Sequence, residues 1–445
     1  LGDKLPHAAI PDVVDLYTAW SSGMLGVDPL TPVLQARLLG WLNEIETVRD
    51  NATLRELREP FGGEIDYDRI RSLESDIRSA FMLFASRTPQ LAADYLRYLG
   101  SRRRGEDAIH GILKFRGTLA QAAPAELAKL TANALIRKPD QQDRWSRDER
   151  EEPFEYVDHD FLPASPSQGP FLDLLTHSSQ HGLPLIRRLV DHAISFYSGG
   201  REPGADVITV VFRDGERSFP WQRSYHWSRD ANGNYSVTSA LMALEVWAHR
   251  RIEAGESVDS VLSDVLGPAG SPAAYLLIAV DLILSHWPTS RDSAIPFLAS
   301  PELLSLDRER QLHDGFEYPD FFGLKALQKE PSGTASLADL KKRPSRKVSL
   351  EYPLGNIAVH GPAATREQLA ELLRQVAERL GPPEPKSTMR DPSLMVVYAL
   401  NLLDPANWQD ANVTLRDGST SSVRQYVSPE AERKHLEALK ADSAP

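Results

Sequence analysis

The chain has 445 residues, 41% hydrophobic and 25% charged, which is long and apolar enough for two or three soluble domains of roughly 100 to 200 residues each. A net charge of -12 works against sequence-independent binding to nucleic acid or anionic lipid, since both need clustered cations; only local basic patches are left for such contacts. With no cysteine, disulfides, thiolate nucleophiles and Cys-bearing zinc sites are excluded, and the expected setting is cytoplasmic. The chain begins Leu1-Gly2-Asp3-Lys4 without Met, so a leader has been removed or the sequence is a piece of a longer protein. The most apolar stretch, 273–287, is about 15 residues long and carries Asp281, whereas a membrane span needs about 20, so it reads as a buried helix and not as a span.

In chain order, the first 150 residues read as nearly all helical. Leu34, Leu38, Trp41, Leu42 and Ile45 mark one long helix, with Pro32 near its start where a missing N–H costs least. Ile70, Leu73, Ile77, Phe81 and Phe84 recur at three- and four-residue steps, and after Thr88-Pro89 a shorter helix turns Leu91, Tyr95 and Leu96 inward. Past Gly100 and Arg102-Arg103-Arg104-Gly105 the couplet starts again: Ile109, Ile112, Leu113 and Leu119, then the break Ala123-Pro124, then Leu127, Leu130, Ala134 and Leu135. Residues 138–169 lose periodicity in a charged, proline-rich text that reads as a linker or surface crossing.

Helical pattern returns at Phe171 and again at Leu183, with His181-Gly-Leu-Pro184 as the break between them. The period then changes. Val207–Phe212 is β-branched and aromatic, Asp214-Gly215 is a hairpin signal, and Phe219–Trp227 with the Asn232-Gly233 turn and Tyr235–Val237 extends it to a three-stranded meander. A helix with Ala240, Leu241, Ala243, Leu244 and Trp247 inward follows, packing on the buried helix at 273–287. From Asp307 to Pro362 the text is irregular, with an aromatic cluster (Phe316, Tyr318, Phe321, Phe322) and the basic run Lys341–Lys347, which reads as a solvated loop. Helices at 365–380, 392–403 and 429–440 finish the chain. The domains expected are 1–150 (helical repeats), 151–330 (helical with the meander at about 206–237) and 331–445 (basic junction and C-terminal helices).

Chemistry is sparsely signalled. No phosphate loop, dinucleotide fingerprint, His-Glu-x-x-His helix or Gly-x-Ser-x-Gly elbow occurs, so no cofactor, metal or catalytic residue is assigned. His177, His181, Asp191 and His192 are ligand types for a divalent metal, but the break at 181–184 need not leave them on one face, and ordinary helix-end histidines are the expectation. Asp281, followed by His286, must find a partner if buried, and more often ties a neighbouring helix than acts as an acid or base. The candidate partner-binding surface is the meander, where Trp221, Tyr225, His226 and Trp227 interleave with Arg213, Arg217, Arg223 and Arg229, although alternation on a half-buried hairpin produces the same text without any ligand.

Residues 67–137, with their couplets offset by about 40 residues, resemble HEAT or armadillo helical pairs over about a sixth of the chain. That resemblance implies a superhelical scaffold, and irregular arrays of this kind also resemble non-catalytic parts of large bacterial multidomain sensor NTPases. The expected fold is therefore mainly α, an irregular helical array with a small antiparallel β-meander insertion. The expected function is a non-catalytic interaction or sensor scaffold for a protein partner. The alternative is an α/α-toroid polysaccharide lyase or glycosidase using His226, Tyr225 and Asp281 as acid–base groups.

Overall fold

A computed structural model describes residues 9–24, 28–51, 67–101, 108–136, 152–229, 234–315, 329–414 and 420–442. The protein is mainly helical with two small antiparallel two-stranded sheets. It divides into two compact units, one of Leu1–Tyr197, Ala231–Ala243 and Glu330–Thr334, the other of Ser198–Asp230, Leu244–Lys329 and Ala335–Pro445.

The first unit begins with α1 (Ile10–Met24), α2 (Thr31–Asn51), α3 (Tyr67–Leu83) and α4 (Pro89–Ser101). The apolar stripes point inward as their spacing demands: Leu38, Leu42 and Ile45 of α2 and Leu73, Ile77 and Phe81 of α3 are buried where the two helices pack. One polar knot crosses this core. Arg78 Nη2 lies 2.9 Å from Glu46 Oε1 and also pairs with Glu74, while the Tyr95 hydroxyl donates to Glu46 at 2.7 Å. The second expected long helix is broken at Lys114–Phe115 into α5 (Ile109–Leu113) and α6 (Arg116–Ala122), before α7 (Pro124–Leu135) packs on α4.

The stretch expected to be a linker divides in two: residues 137–151 lie outside the described residues, and residues 152–170 are part of the core. Phe154 and Phe161 are each 2% exposed, and the Asp158 carboxylate accepts the amides of Tyr235 (3.0 Å) and Ser236 (2.9 Å), capping the helix α9 (Tyr235–Glu253). Helix α8 (Phe171–Ser198) bends at Ser178 (φ -158°, ψ 71°), upstream of the break expected at His181–Pro184. Gly182 is needed there, because a Cβ at that position would sit 2.9 Å from the Leu175 amide nitrogen.

In the second unit, β1 (Val207–Phe212) and β2 (Gly215–Pro220) form a hairpin in which Ile208 faces Phe219 and Val210 faces Arg217. The antiparallel insertion is present, but its third strand is not: Trp221 turns the chain into a 3-10 turn at Gln222–His226, and Tyr235–Val237 opens α9. The Asn232-Gly233 turn lies outside the described residues. Residues 244–253 of α9 and α10 (Val258–Leu266) lead to α11 (Leu276–Ser285), buried from Leu276 to Leu284, then α12 (Arg291–Leu298) and α13 (Pro301–Asp314).

The span expected to be irregular from Asp307 carries the end of α13, the short α14 (Leu337–Lys341), a 3-10 turn at Pro344–Arg346 and α15 (Glu351–His360); the aromatic cluster of Phe316, Tyr318, Phe321 and Phe322 lies outside the described residues. Helices α16 (Ala363–Leu380) and α17 (Pro392–Leu403) pack together as their periodicity predicts. A second hairpin, β3 (Trp408–Thr414) with β4 (Thr420–Tyr426), precedes α18 (Glu430–Asp442) and was not foreseen. Its base is seated by Trp408 against Gly355, where a Cβ would come within 2.7 Å of the indole.

Leu244, Trp247, Leu276 and Ile283 are all buried, and Arg251 lies over the Trp247 ring at 4.4 Å. Trp247→Ala is expected to lower the unfolding free energy by about 3–5 kcal/mol in urea denaturation, as a large-to-small core change. A midpoint unchanged from the parent would contradict this packing.

A buried ionic cluster as the candidate functional site

The residues expected to form a binding surface separate into two groups. Arg213 at the hairpin tip and Arg223 in the 3-10 turn are exposed, and neither has an ion-pair partner among the described residues; Trp221, His226 and Trp227 are half-buried. Arg217 is not a free cation: its guanidinium donates to the Gly267 carbonyl at 2.7 Å and lies over the rings of Phe212 and Phe219. Tyr225 and Arg229 are drawn into the interior, away from the surface on which the other candidates lie.

Trp221 explains the change of direction. Its φ of 63° is left-handed, rare for a bulky residue and the only case outside glycine among the described residues. The turn is held by the Trp221 amide donating to Asp206 O (2.8 Å) and by the Ser224 amide donating back to Trp221 O (2.8 Å). Alternation of faces stops at this point, and the next residues enter the core.

There Arg229 meets Asp281 end-on, with Nη2 2.6 and 2.7 Å from the two carboxylate oxygens, and its Nη1 lies 3.5 Å from Glu245. Arg346 mirrors it, with Nη2 2.8 Å from both oxygens of Glu245 and Nη1 3.3 Å from Asp281. Each carboxylate is thus bridged to both guanidiniums. A second layer continues the pairing: Arg310 holds Asp307 (2.8 Å) and Asp314 (3.2 Å), Asp314 also meets Arg229 (3.3 Å), and the Tyr225 hydroxyl donates to Asp307 (3.3 Å). Glu245, Asp281, Asp307 and Arg310 are wholly buried.

Four carboxylates here face three guanidiniums. Burial pushes both Glu245 and Asp281 up to about 7, against the pull of Arg229. The basic run 341–347, expected in solvent, supplies the cluster: Arg346 enters it, Arg343 pairs with Glu253, and of the cations in the run only the lysines are exposed. Beside Glu245 on α9, fully buried His249 has its Nδ1 2.9 Å from His286 Nε2, and its own Nε2 is 3.8 Å from Glu245. Burial lowers both histidines to about 4, so both are neutral at pH 7.

In the first unit, His177 meets Gln121 (3.3 Å), His181 Nδ1 meets the Ser178 hydroxyl (2.8 Å) and His192 meets the Pro153 carbonyl (2.7 Å). No group of three metal-ligating side chains occurs among the described residues. Arg187, Arg188, Asp191 and His192 line a shallow hollow of about 720 Å³. No helix among the described residues is long and apolar enough to cross a membrane. No family model matches the chain, and no curated protein is significantly similar to it.

Chemically, the cluster is a clasp. Asp281 was foreseen as needing a partner; that it has two, from segments before and after it, leaves its oxygens committed to guanidinium hydrogens. Arg229→Ala removes the closer of the two guanidiniums on buried Asp281, leaving Arg346 at 3.3 Å, and is expected to cost about 3 kcal/mol, whereas Arg223→Ala on the surface should stay within about 0.5 kcal/mol. Equal effects of the two substitutions on the urea midpoint would contradict this division between core and surface arginines.

Proposed function

We propose that the chain is a non-catalytic interaction or sensor scaffold that binds a protein partner, its α3–α7 couplets serving as HEAT- or armadillo-like units in a cytoplasmic, multidomain setting. The observation that carries the reading is the engagement of Asp281. Of the three groups that a toroid lyase or glycosidase would use, Asp281 is saturated by Arg229 and Arg346, and Tyr225 is buried against Asp307, while His226 alone keeps partial exposure. The strongest charges of the second unit are therefore committed to holding segments together, which is what a scaffold requires.

Arg213 and Arg223 remain as the exposed cations of the expected surface, flanked in sequence by half-buried Trp221, His226 and Trp227. Guanidiniums beside amphipathic rings suit an acidic protein surface. With the parent chain as bait, Arg213→Glu/Arg223→Glu should weaken binding of an acidic partner about tenfold or more by calorimetry, with circular dichroism unchanged. Undiminished affinity would move the binding face elsewhere, and turnover of a polyuronate or glycan substrate by the purified chain would overturn the scaffold reading itself.

A further inference from the structure

We propose that the outer edge of β4 is a self-pairing edge, on which two copies of the chain join antiparallel through Thr420–Tyr426 to make one four-stranded sheet. This contact involves neither Arg213 nor Arg223, so it stands apart from the partner surface of the first hairpin.

The ladder fixes which backbone groups of the hairpin face outward. The Val427 amide donates to the Asn407 carbonyl at 2.8 Å, so this pair is hydrogen-bonded, and bonded pairs alternate along an antiparallel register. Gln409–Gln425, Ala411–Val423 and Val413–Ser421 therefore bond to each other, while Thr420, Ser422, Arg424 and Tyr426 turn their N–H and C=O groups away from β3. Among the described residues none of these outward groups meets a hydrogen-bond partner.

Natural proteins guard such an edge with proline, lysine or a bulge. β4 carries no proline and no lysine, and its register with β3 runs unbroken from Trp408–Tyr426 to Thr414–Thr420. Thr420 and Ser422 to Gln425 are exposed. The one charge on the strand is drawn off the edge: Arg424 reaches across β3, with Nε 3.0 Å from Asp410 and Nη1 donating to the Trp408 carbonyl at 3.3 Å. That bond occupies an outward carbonyl of β3, so of the two edges β4 is the open one.

Symmetry then selects the pairing. Outward residues must meet outward residues, and an axis at Val423 sets Thr420 opposite Tyr426 of the second copy and Ser422 opposite Arg424, giving about eight hydrogen bonds along the whole strand. Val423 meets its own copy across the axis in a closely spaced pair, about 4.5 Å between Cα atoms. It stands on the face opposite Trp408 and Tyr426, which seat the hairpin on Gly355 of α15 and Tyr398 of α17. Val413 (43% exposed) and Val423 (38%) thereby join their copies in one apolar strip. Moving the axis to Arg424 would set like charges directly opposite, and moving it to Ser422 would carry Tyr426 past the end of the strand. A two-stranded hairpin is marginal by itself, and the second copy supplies the strands it lacks.

Sedimentation velocity on the full chain tests this. The contact is small beside a standard interface, so the mean mass should rise from the 49.5 kDa monomer toward the dimer between about 1 and 300 µM. Ser422→Pro removes an N–H that β3 does not use and should weaken association about tenfold or more, whereas Asn412→Pro on the β3 edge should change it less than about threefold. Cross-linking gives a second reading that needs no proline. The chain has no cysteine, and Val423→Cys should form a disulfide-linked dimer under a mild oxidant, since the two positions lie within disulfide reach. Val413→Cys, three strand spacings or about 14 Å from its copy, should not. A dimer that Ser422→Pro leaves intact, or equal cross-linking of the two cysteine variants, would overturn the proposal. So would a parent that stays monomeric, which would leave the edge to an extended peptide of another protein.

Discussion

The second unit depends on one interaction, the reciprocal bridging of Asp281 and Glu245 by Arg229 and Arg346. Placing a carboxylate on the all-apolar helix α11 costs several kcal/mol unless it is paired and hydrogen-bonded, so the helix can be buried only where a cation meets it. Two do, and they come from segments with no regular structure of their own: the exit of the first hairpin and the 3-10 turn after α14. The cluster therefore dictates where those connections run. Had Asp281 been leucine, the core would be no less apolar, but nothing would specify which turn of the chain covers it.

A buried ion pair is a poor source of net stability and a good source of uniqueness. Here its effect is on register. Each guanidinium touches carboxylates on two different helices, α9 and α11, so a slip of one turn along either helix would leave a charge unpaired. Of the arginines around the first hairpin and its following turn, Arg213 and Arg223 stay on the surface.

Much of the helical framework was legible in the sequence because helix pattern is a local property: α2, α3, α4 and α7 fall where apolar residues recur at three and four, α11 falls in the continuous apolar stretch, and α16 and α17 fall within or close to the helices expected at 365–380 and 392–403. What failed depended on single backbone conformations or on distant partners. Phe219–Trp227 alternates like a strand, but Trp221 takes a left-handed conformation and reverses the chain. Residues 152–170 are proline-rich and polar, yet Phe154 and Phe161 anchor them in a core that only tertiary packing reveals. The hairpin β3–β4 carries Asp410, Asn412, Ser422 and Arg424 on one face and Ala411, Val413 and Val423 on the other, but both valines are exposed, so the short alternation marks no core-facing strand. At the site, Asp281 announced its need for a partner, but Arg229 is 52 residues before it and Arg346 is 65 after it, and neither differs in local context from a surface arginine.

A double-mutant cycle on the clasp addresses its role most directly. Urea unfolding of Arg346→Met, Glu245→Gln and the double variant isolates the energy with which the two side chains depend on each other. If the cluster organises the second unit, each single change is costly, the double change costs less than their sum, and the coupling is on the order of 2–3 kcal/mol. Additivity within about 0.5 kcal/mol would mean that the two groups merely lie near each other, and that the placement of α9, α11 and the 344–346 turn is set by apolar packing alone.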